Sequence, residues 1–230
     1  MPDVSSTTSI APRRRDLTLP AGFIAPCLPM LAPRAPSGPL WLHEIKHDGF
    51  RIIARNDGGR VRLYGRTGND LTRRFRRIVD AMARLPSCTI DGEAVVCNES
   101  GVASLDLLCR GGRDDRAFLY AFDLIELNHD DRRRDPLAWR KLELGRLLAN
   151  SAPGLVFNEW IDGSESDGDT VFDRARRLEL GGIVSKRKDS RYMSGRSPYW
   201  LKMKNPDSAG RLGNVASAVP GAKTMVERPR

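Results

Sequence analysis

The sequence predicts an α+β fold in which antiparallel sheets are flanked by helices. Between residues 41 and 204, short runs typical of strands are interleaved with segments of helical apolar periodicity. The Asn-Asp-Gly-Gly segment at 56–59 is a strong hairpin signal, and a hairpin implies antiparallel pairing. There is no internal repeat and no Walker or GxGxxG loop, so a regular parallel βαβ sheet is not expected.

The elements follow from the local patterns in chain order. Strands are predicted at 41–46, 50–55, 60–65, 87–97, 117–127, 154–161, 182–186 and 199–204. Helices are predicted where apolar residues recur every three or four positions, which occurs at 72–84, 137–148 and 169–180.

The two ends of the chain differ in composition from the segment between them. Residues 1–20 are predicted to be disordered, 21–40 to be an extended lead-in interrupted by prolines, and 206–230 to be a flexible tail. One domain is therefore expected over 21–205. The sequence has no run of about 18 apolar residues and no secretory signal, so a membrane helix is not expected. The four cysteines form no CxxC pair, which argues against a disulfide framework or a zinc site.

The charge balance indicates a polyanionic partner. The chain has 38 Lys and Arg against 29 Asp and Glu, which gives a formal net charge of +9. This excess favours nucleic acid or an acidic membrane surface as a partner. Seven of the cations are lysines, and Lys46 is the only lysine in the first 140 residues. Because a lysine, unlike an arginine, can act as a neutral nucleophile, this position is a candidate for chemistry.

Lys46 lies at the end of a predicted strand, in the segment Glu-Ile-Lys-His-Asp-Gly-Phe-Arg at 44–51. Gly49 permits a tight turn beside the lysine, and Arg51 is suited to bind a phosphate. The alternative is a solvated surface turn, because Lys-x-Asp-Gly also arises by chance.

Three further segments carry groups suited to a nucleotide. The Asp-Gly-Glu segment at 91–93 places carboxylates in an apolar strand, which is costly unless they are paired or bind a metal. Tyr120 and Phe122 share one face of a strand, where either stacks on a nucleobase or fills the core. Lys202 and Lys204 also share a face, and an anion between them would relieve their repulsion.

Taken in order, these segments resemble the nucleotidyltransferase domain of ATP-dependent DNA ligases, and most closely the ligase module of bacterial non-homologous end-joining proteins. The matching segments are KHDGFR at 46–51, YGRTGNDLT at 64–72, DGE at 91–93, YAFDL at 120–124, GIVSKR at 182–187 and WLKMK at 200–204. The resemblance runs from about residue 23 to 206. It implies the covalent nucleotidyltransferase fold, with the nucleotide site between the sheets.

The resemblance also implies a three-step reaction that seals breaks in DNA with ATP and Mg²⁺. Lys46 would attack the α-phosphate of ATP, the AMP would pass to a 5′-phosphate, and a 3′-hydroxyl would displace it. The resemblance assigns phosphate or ribose contacts to Arg51 and Arg66, ribose or metal contacts to Glu93, and adenine stacking to Phe122. It also places four further residues at ATP: Glu44, Lys186, and, at the α-phosphate, Lys202 and Lys204.

Two departures from the family pattern bear on these expectations. The family usually has a metal-associated glutamate where this chain has Gly181, so weaker magnesium binding is expected. The family also has an OB-fold domain after the lysine strand, and the roughly 25 residues that follow here are too few to form a five-stranded barrel. Slower lysine adenylylation and weaker wrapping of the duplex are therefore expected.

An arginine cluster is suited to the backbone of nicked or broken double-stranded DNA, and it comprises Arg73, Arg74, Arg76 and Arg77. The alternative is the solvated face of the helix predicted at 72–84. Two other functions stay open: a catalytically degenerate ATP- or DNA-binding accessory of end joining, and an RNA ligase or capping-type nucleotidyltransferase. The expected partners include end-joining proteins or a separate protein that carries an OB fold. The expected location is the bacterial cytoplasm at the nucleoid, with no membrane association.

Overall fold

The computed structural model describes residues 19–109 and 114–206. The strands in these ranges are β1 Cys27–Leu31, β2 Trp41–Ile45, β3 Phe50–Asp57, β4 Arg60–Gly65, β5 Cys88–Val95, β6 Phe118–Leu127, β7 Asp130–Asp131, β8 Leu155–Phe157, β9 Trp160–Asp162, β10 Gly182–Arg187 and β11 Gly195–Lys204. The helices are α1 Arg76–Met82, α2 Leu105–Cys109, α3 Leu137–Leu148 and α4 Gly168–Arg177, with a short 3-10 helix at Asp114–Arg116.

The strands form two sheets, and among the described residues the chain passes between the sheets twice. The five-stranded sheet has the order β1-β11-β10-β2-β9, and the six-stranded sheet has the order β4-β3-β5-β6-β7 with β8 also paired to β6. The first passage, residues 46–49, joins β2 to β3. The second passage, residues 158–159, joins β8 to β9.

The sheets pack face to face, and helices cover their outer faces. Ile53 and Phe122 of the six-stranded sheet pack with Trp200 of the five-stranded sheet in the layer between them. Because side chains alternate along a strand, the other face of β3 and β4 packs against α1 and α3 in a second cluster. On the opposite side, α4 packs Val171 against Ile183 of the five-stranded sheet. The layer between the sheets is the one that contains the charged residues described below.

The predicted α+β class, with antiparallel sheets and flanking helices, is confirmed. The strand predicted at 60–65 and the helix predicted at 137–148 have the bounds of β4 and α3. The helix predicted at 72–84 is shorter, because the Thr72 hydroxyl accepts the Leu63 N–H and holds the chain against β4 before α1 begins. The strand predicted at 154–161 is two strands, β8 and β9, because the chain changes sheets between them.

β1, α2 and β7 were not predicted as separate elements. The disorder predicted at 1–20 and the flexible tail predicted at 206–230 lie outside the described residues, apart from residues 19, 20 and 206. None of the helices that the structure describes is long and apolar enough to cross a membrane.

A fully buried ion pair fastens α3 to the six-stranded sheet. Arg140 of α3 donates to both carboxylate oxygens of Asp123 on β6, at 2.7 and 2.9 Å, and neither side chain is exposed. Its guanidinium also donates to the carbonyl oxygen of Ser190, at 3.1 Å. Since each charge is paired and hydrogen-bonded, removing one partner leaves the other buried and uncompensated.

We therefore expect Arg140→Met to lower the free energy of unfolding by about 3–5 kcal/mol, because Asp123 loses its partner. The measurement is urea unfolding at neutral pH. Arg146→Ala on the same helix is the control, since Arg146 is exposed and pairs with Glu143 at the surface; its loss should stay within about 1 kcal/mol. Equal losses from the two variants would contradict the role given to the buried pair.

Candidate active site

A cavity of about 570 Å³ opens between the two sheets, and both passages of the chain contribute to its lining. Eight of the nine residues expected at the nucleotide line it: Glu44, Lys46, Arg51, Arg66, Glu93, Phe122, Lys186 and Lys202. Lys204 is not among the lining residues and is exposed further along β11, in register with Gly182. The structure thus brings together residues that are as much as 158 positions apart in the chain, from Glu44 to Lys202.

Lys46 lies in the first passage, directly after β2. Its backbone N–H donates to the carbonyl oxygen of Gly182 at 3.0 Å, and its Nζ donates to the carboxylate of Asp48. Gly49 packs so closely on β5 that a Cβ there would lie 2.2 Å from the carbonyl oxygen of Ala94. The turn can therefore lie against the six-stranded sheet only with glycine at this position.

Glu44 is a buried carboxylate that accepts two hydrogen bonds and forms an ion pair with a second ammonium group. Lys141 Nζ donates to Oε1 at 2.8 Å, Lys186 Nζ lies 2.7 Å from Oε2, and Asn158 Nδ2 donates to Oε2 at 3.2 Å. Burial alone would raise the pKa of Glu44, but the two ammonium groups outweigh burial and lower it. Glu44 is therefore ionised, and the cluster of one carboxylate and two lysines carries a net positive charge.

Arg51 is committed to a protein partner. Its guanidinium donates to both oxygens of Asp91, at 2.5 and 2.7 Å, and to the carbonyl oxygen of Cys27 at 2.8 Å. The Tyr192 hydroxyl donates to the same Asp91 carboxylate at 2.6 Å. Arg51 lines the cavity, and because these bonds use Nε and Nη2, its Nη1 group is the part of the guanidinium that remains for a phosphate.

Aromatic rings and cations together form one wall of the cavity. Lys186 Nζ lies 4.3 Å from the ring centre of Phe122 and 4.0 Å from that of Trp200. The guanidinium of Arg51 lies 4.5 Å from the centre of the Phe122 ring. These cation–π contacts fix the Phe122 ring, which is only 7% exposed.

The opposite side of the cavity is rich in positive charge. Burial lowers the pKa of Lys202, and the neighbouring cations Lys204, Arg66 and Lys46 lower it further. Burial also raises the pKa of Glu93 to about 7, although Arg51 and Lys46 act against this shift. The cations around Lys202 repel one another, and a bound polyanion such as a triphosphate would relieve that repulsion.

Gly181 packs directly against the lysine turn. A Cβ at this position would lie 2.7 Å from Asp48 Oδ2 and 2.9 Å from the carbonyl oxygen of Lys46. The left-handed backbone is at the next residue, Gly182, with φ +116°. A glutamate at 181 would therefore displace the Lys46 turn, and the carboxylate that contacts Lys46 in this chain is Asp48.

The arginine cluster divides into two groups. Arg73, Arg76 and Arg77 are exposed, as a role at the DNA backbone requires. Arg74 instead donates to Asp114 at 3.1 Å and to the carbonyl oxygen of Leu108 at 2.6 Å, and so ties α2 to the 3-10 helix. Arg74 thus also supports the fold, and its role at DNA stays a prediction.

Comparison with known proteins identifies the family. A model of the family described as the ATP dependent DNA ligase domain matches residues 29–204. This chain is a member of that family. The match covers both sheets apart from the first two residues of β1, and it includes every residue that lines the cavity except Leu28.

This chain is similar to bacterial proteins that are named for non-homologous end joining. It is 35% identical over 170 residues to the multifunctional non-homologous end joining DNA repair protein LigD of Mycobacterium tuberculosis. The aligned residues make up 72% of this chain and 22% of that protein. It is 34% identical over 188 residues to the LigD of Pseudomonas aeruginosa, again 22% of the relative's length. The chain thus spans about a fifth of the length of these curated relatives.

Solved structures agree with this assignment. The ligase domain superposes on a mycobacterial DNA ligase D complexed with ATP and MES with a TM-score of 0.69 and 32% identity, over 78% of this chain and 60% of that one. The Chlorella virus DNA ligase-adenylate, at 16% identity and a TM-score of 0.58, shares the fold. The expected covalent nucleotidyltransferase fold is confirmed.

Sequence reasoning did not single out several residues of the site. Asp48, His47, Lys141 and Asn158 bind one another or the predicted residues, and Arg196 lines the cavity among the cations. His47 and Asp48 lie within the lysine segment, so the sequence showed that they are near Lys46 but did not show which groups they bind. Lys141 and Asn158 carry no local signal, because their contacts to Glu44 span 97 and 114 residues.

The cavity fits magnesium only together with a ligand. In the described ranges, no group of three His, Cys, Asp or Glu side chains could hold a metal by itself. Nucleotide-dependent enzymes commonly hold Mg²⁺ with one or two carboxylates, phosphate oxygens and water. Asp48 and Glu93 provide such carboxylates in the cavity of the ligase domain.

We expect the stability of the ligase domain to fall between pH 6.5 and 4 because of His47. Burial lowers the pKa of His47 to about 4, whereas the unfolded chain titrates near 6.5. Protons therefore bind the unfolded state first, and about 3 kcal/mol of stability is lost as the pH falls through this range. The measurement is urea unfolding at several pH values, with the difference between wild type and His47→Phe as the readout.

The control for this prediction is His129→Asn, which changes an exposed histidine at a turn. It should keep the pH dependence of the wild type, whereas His47→Phe should lose that component. Parallel curves for wild type and His47→Phe would contradict the prediction.

Proposed function

We propose that this chain is the nucleotidyltransferase domain of an ATP-dependent DNA ligase, which joins broken DNA through a lysyl-AMP intermediate on Lys46. The observation that carries the proposal is the position of Lys46, whose Nζ contacts Asp48 in a cavity with an aromatic wall on one side and cations on the other. Family membership supports it. The activity, the DNA substrate and the partners are taken from proteins much longer than this chain.

The cavity has two parts that suit the two parts of ATP. We call the part lined by Glu44, Phe122, Lys186 and Trp200 the base side. We call the part lined by Lys46, Arg66, Arg196 and Lys202 the phosphate side. Phe122 is proposed to stack on adenine on the base side, and Lys202 to hold the α-phosphate on the phosphate side.

The first step forms a bond between neutral Nζ of Lys46 and the α-phosphorus, breaks the bond to the bridging oxygen, and releases pyrophosphate. Asp48 is placed to accept the proton that leaves Nζ. In the second step an oxygen of a DNA 5′-phosphate attacks the same phosphorus and frees the amine. In the third step a 3′-hydroxyl attacks the DNA phosphate and AMP leaves.

Magnesium would be held by Glu93 and Asp48 together with the phosphates of the substrate, where it would neutralise developing charge. Arg66, Arg196 and Lys202 would orient the triphosphate, since they are cations on the phosphate side. The exposed Arg73, Arg76 and Arg77 are proposed to bind the backbone of nicked or broken duplex. End-joining proteins in a bacterial cytoplasm, at the nucleoid, are the proposed setting.

Incubation with α-labelled ATP and magnesium should place acid-labile label on the wild-type chain. Lys46→Ala and Lys46→Arg should both lose it, because neither supplies a neutral amine at that position. Lys188→Arg is the matched control, since Lys188 pairs with Asp162 and does not line the cavity. Label on either Lys46 variant, or none on the wild type, would contradict the proposal.

Replacing three arginines with alanine should weaken binding to nicked duplex and reduce the slope of log affinity against log salt by up to about 3, roughly 0.9 for each lost phosphate contact. These arginines are Arg73, Arg76 and Arg77. The measurement is a titration of labelled nicked DNA at several salt concentrations.

The control removes three exposed arginines from α4, on the far side of the five-stranded sheet: Arg174, Arg176 and Arg177. This variant has the same net charge as the first and should keep the wild-type slope. Equal losses in the two variants would show non-specific attraction in place of a defined DNA surface.

A further inference from the structure

Asn158 lies where the second passage leaves the six-stranded sheet, and all its polar groups are bonded. Its backbone N–H donates to the carbonyl oxygen of Ala121 at 2.8 Å, and its carbonyl oxygen accepts from Lys141 Nζ at 2.7 Å. Its side-chain Nδ2 donates to Glu44 Oε2 at 3.2 Å, and its Oδ1 accepts from His47 Nε2 at 2.9 Å. The side chain is 4% exposed and borders the cavity.

The orientation of the Asn158 amide is determined by its partners. Ionised Glu44 accepts only, so the NH₂ group must face it. The amide oxygen then faces His47, which must donate from Nε2. Because Nε2 lies 2.9 Å from an oxygen that only accepts, Nε2 carries the hydrogen in this bond. Reversing the amide would break both bonds at once.

The His47 end of this chain of bonds lies next to the nucleophile. His47 follows Lys46 in the first passage, and its ring stacks on Tyr120 of β6 with centroids 3.7 Å apart and planes 6° from parallel. The stack fixes the plane of the ring, and the bond to Asn158 fixes its rotation within that plane. Together they restrict the backbone of the turn from which the Lys46 side chain extends.

The Glu44 end lies on the base side of the cavity. Glu44 also pairs with the ammonium groups of Lys141 and Lys186, so it keeps two cationic partners when Asn158 is lost. Lys141 binds both Glu44 and the backbone of Asn158, which connects the carboxylate to the second passage by a further route. The two ends of the chain of bonds therefore differ, since the base side has additional support and the lysine turn depends more on the amide.

We infer that Asn158 is a positioning residue that couples the base side of the cavity to the turn carrying Lys46, an inference that rests on the proposed function. The amide touches neither the phosphates nor the nucleophile itself. It holds Glu44 and His47 at fixed separation, so that a nucleotide held on the base side meets Lys46 in a fixed direction. Small displacements of a nucleophile cost rate more than affinity.

The test is the rate of covalent AMP formation in a single turnover, measured across ATP concentrations to separate affinity from the saturating rate. His47→Phe keeps an aromatic ring for the stack but loses the donor, and should lower the saturating rate about tenfold with ATP affinity within about twofold of wild type. Asn158→Ala should lower the rate by a similar factor and also weaken ATP binding about fivefold.

The double variant decides between coupling and independent damage. His47→Phe with Asn158→Ala should be no slower than Asn158→Ala alone, because both changes break one chain of bonds. Multiplying losses would overturn the inference. His47→Gln, which can donate from its amide, should recover part of the rate lost in His47→Phe; no recovery would count against the bond. His43→Gln is the matched control, since His43 lies on β2, bonds to Ser185 and does not line the cavity.

A second readout separates this inference from the proposed function. With ¹⁵N-labelled histidine, addition of AMP without any reaction should shift the Nε2 signal of His47 in the wild type and not in Asn158→Ala. If AMP binds and the signal is unmoved, the inference fails while lysyl-AMP formation can still stand. If the signal moves but the wild type forms no lysyl-AMP, the proposed function fails, whereas the coupling of the base side to the lysine turn through Asn158 stands.

Discussion

Both passages of the chain between its two sheets meet at one place, and the bond from His47 to Asn158 joins them. The first passage carries Lys46, and the second begins with the amide that also holds Glu44. A carboxylate, an amide and a neutral imidazole buried in this layer require partners, so their hydrogen bonds set the separation of the two passages. The position of the cavity follows, since it lies between sheets that are joined there.

Charge is distributed around the cavity in two different ways. Arg140, Lys141 and Lys186 are buried and Arg51 is partly exposed; each is paired with a carboxylate of the protein, Lys141 and Lys186 with the same one. They stabilise the walls and give up donors that a ligand would need. Arg66 and Arg196 are exposed on the phosphate side, with Lys202 partly exposed beside them. The arginine-rich composition alone does not distinguish these groups, because exposure and pairing are properties of the folded chain.

Local patterns were enough to predict much of the fold and part of the site. The bounds of β4 and α3 follow from strand composition and helical spacing. The lysine segment, the acidic strand and the alternating lysines of β11 are motifs of only a few neighbouring residues, so the sequence alone shows them. The long helix predicted at 72–84 was wrong at both ends, because apolar spacing continues where side chains such as Thr72 hold the backbone in turns. The prediction of a single strand at 154–161 was wrong, because the passage of the chain from one sheet to the other does not interrupt the apolar alternation of the sequence.

The remaining parts of the site depend on contacts across the chain. Asn158 and His47 are 111 residues apart, and nothing near either one indicates the other. The partner of Arg74 was hidden for the same reason, since Asp114 lies 40 residues further along. A basic cluster therefore predicted one surface, and the sequence did not show that one of its four members also has partners within the fold.

The two passages also give residues 50–157 a particular topological status. This segment leaves the five-stranded sheet after β2 and returns to it at β9, which is the neighbour of β2 in that sheet. The whole six-stranded layer is thus an insertion whose entry and exit points are adjacent. A rotation of one layer against the other would have its axis at these two connections, where displacements are smallest. A rotation that separated the two layers would widen the cavity at the rim farthest from these connections, while the spacing between Lys46 and Glu44 hardly changes.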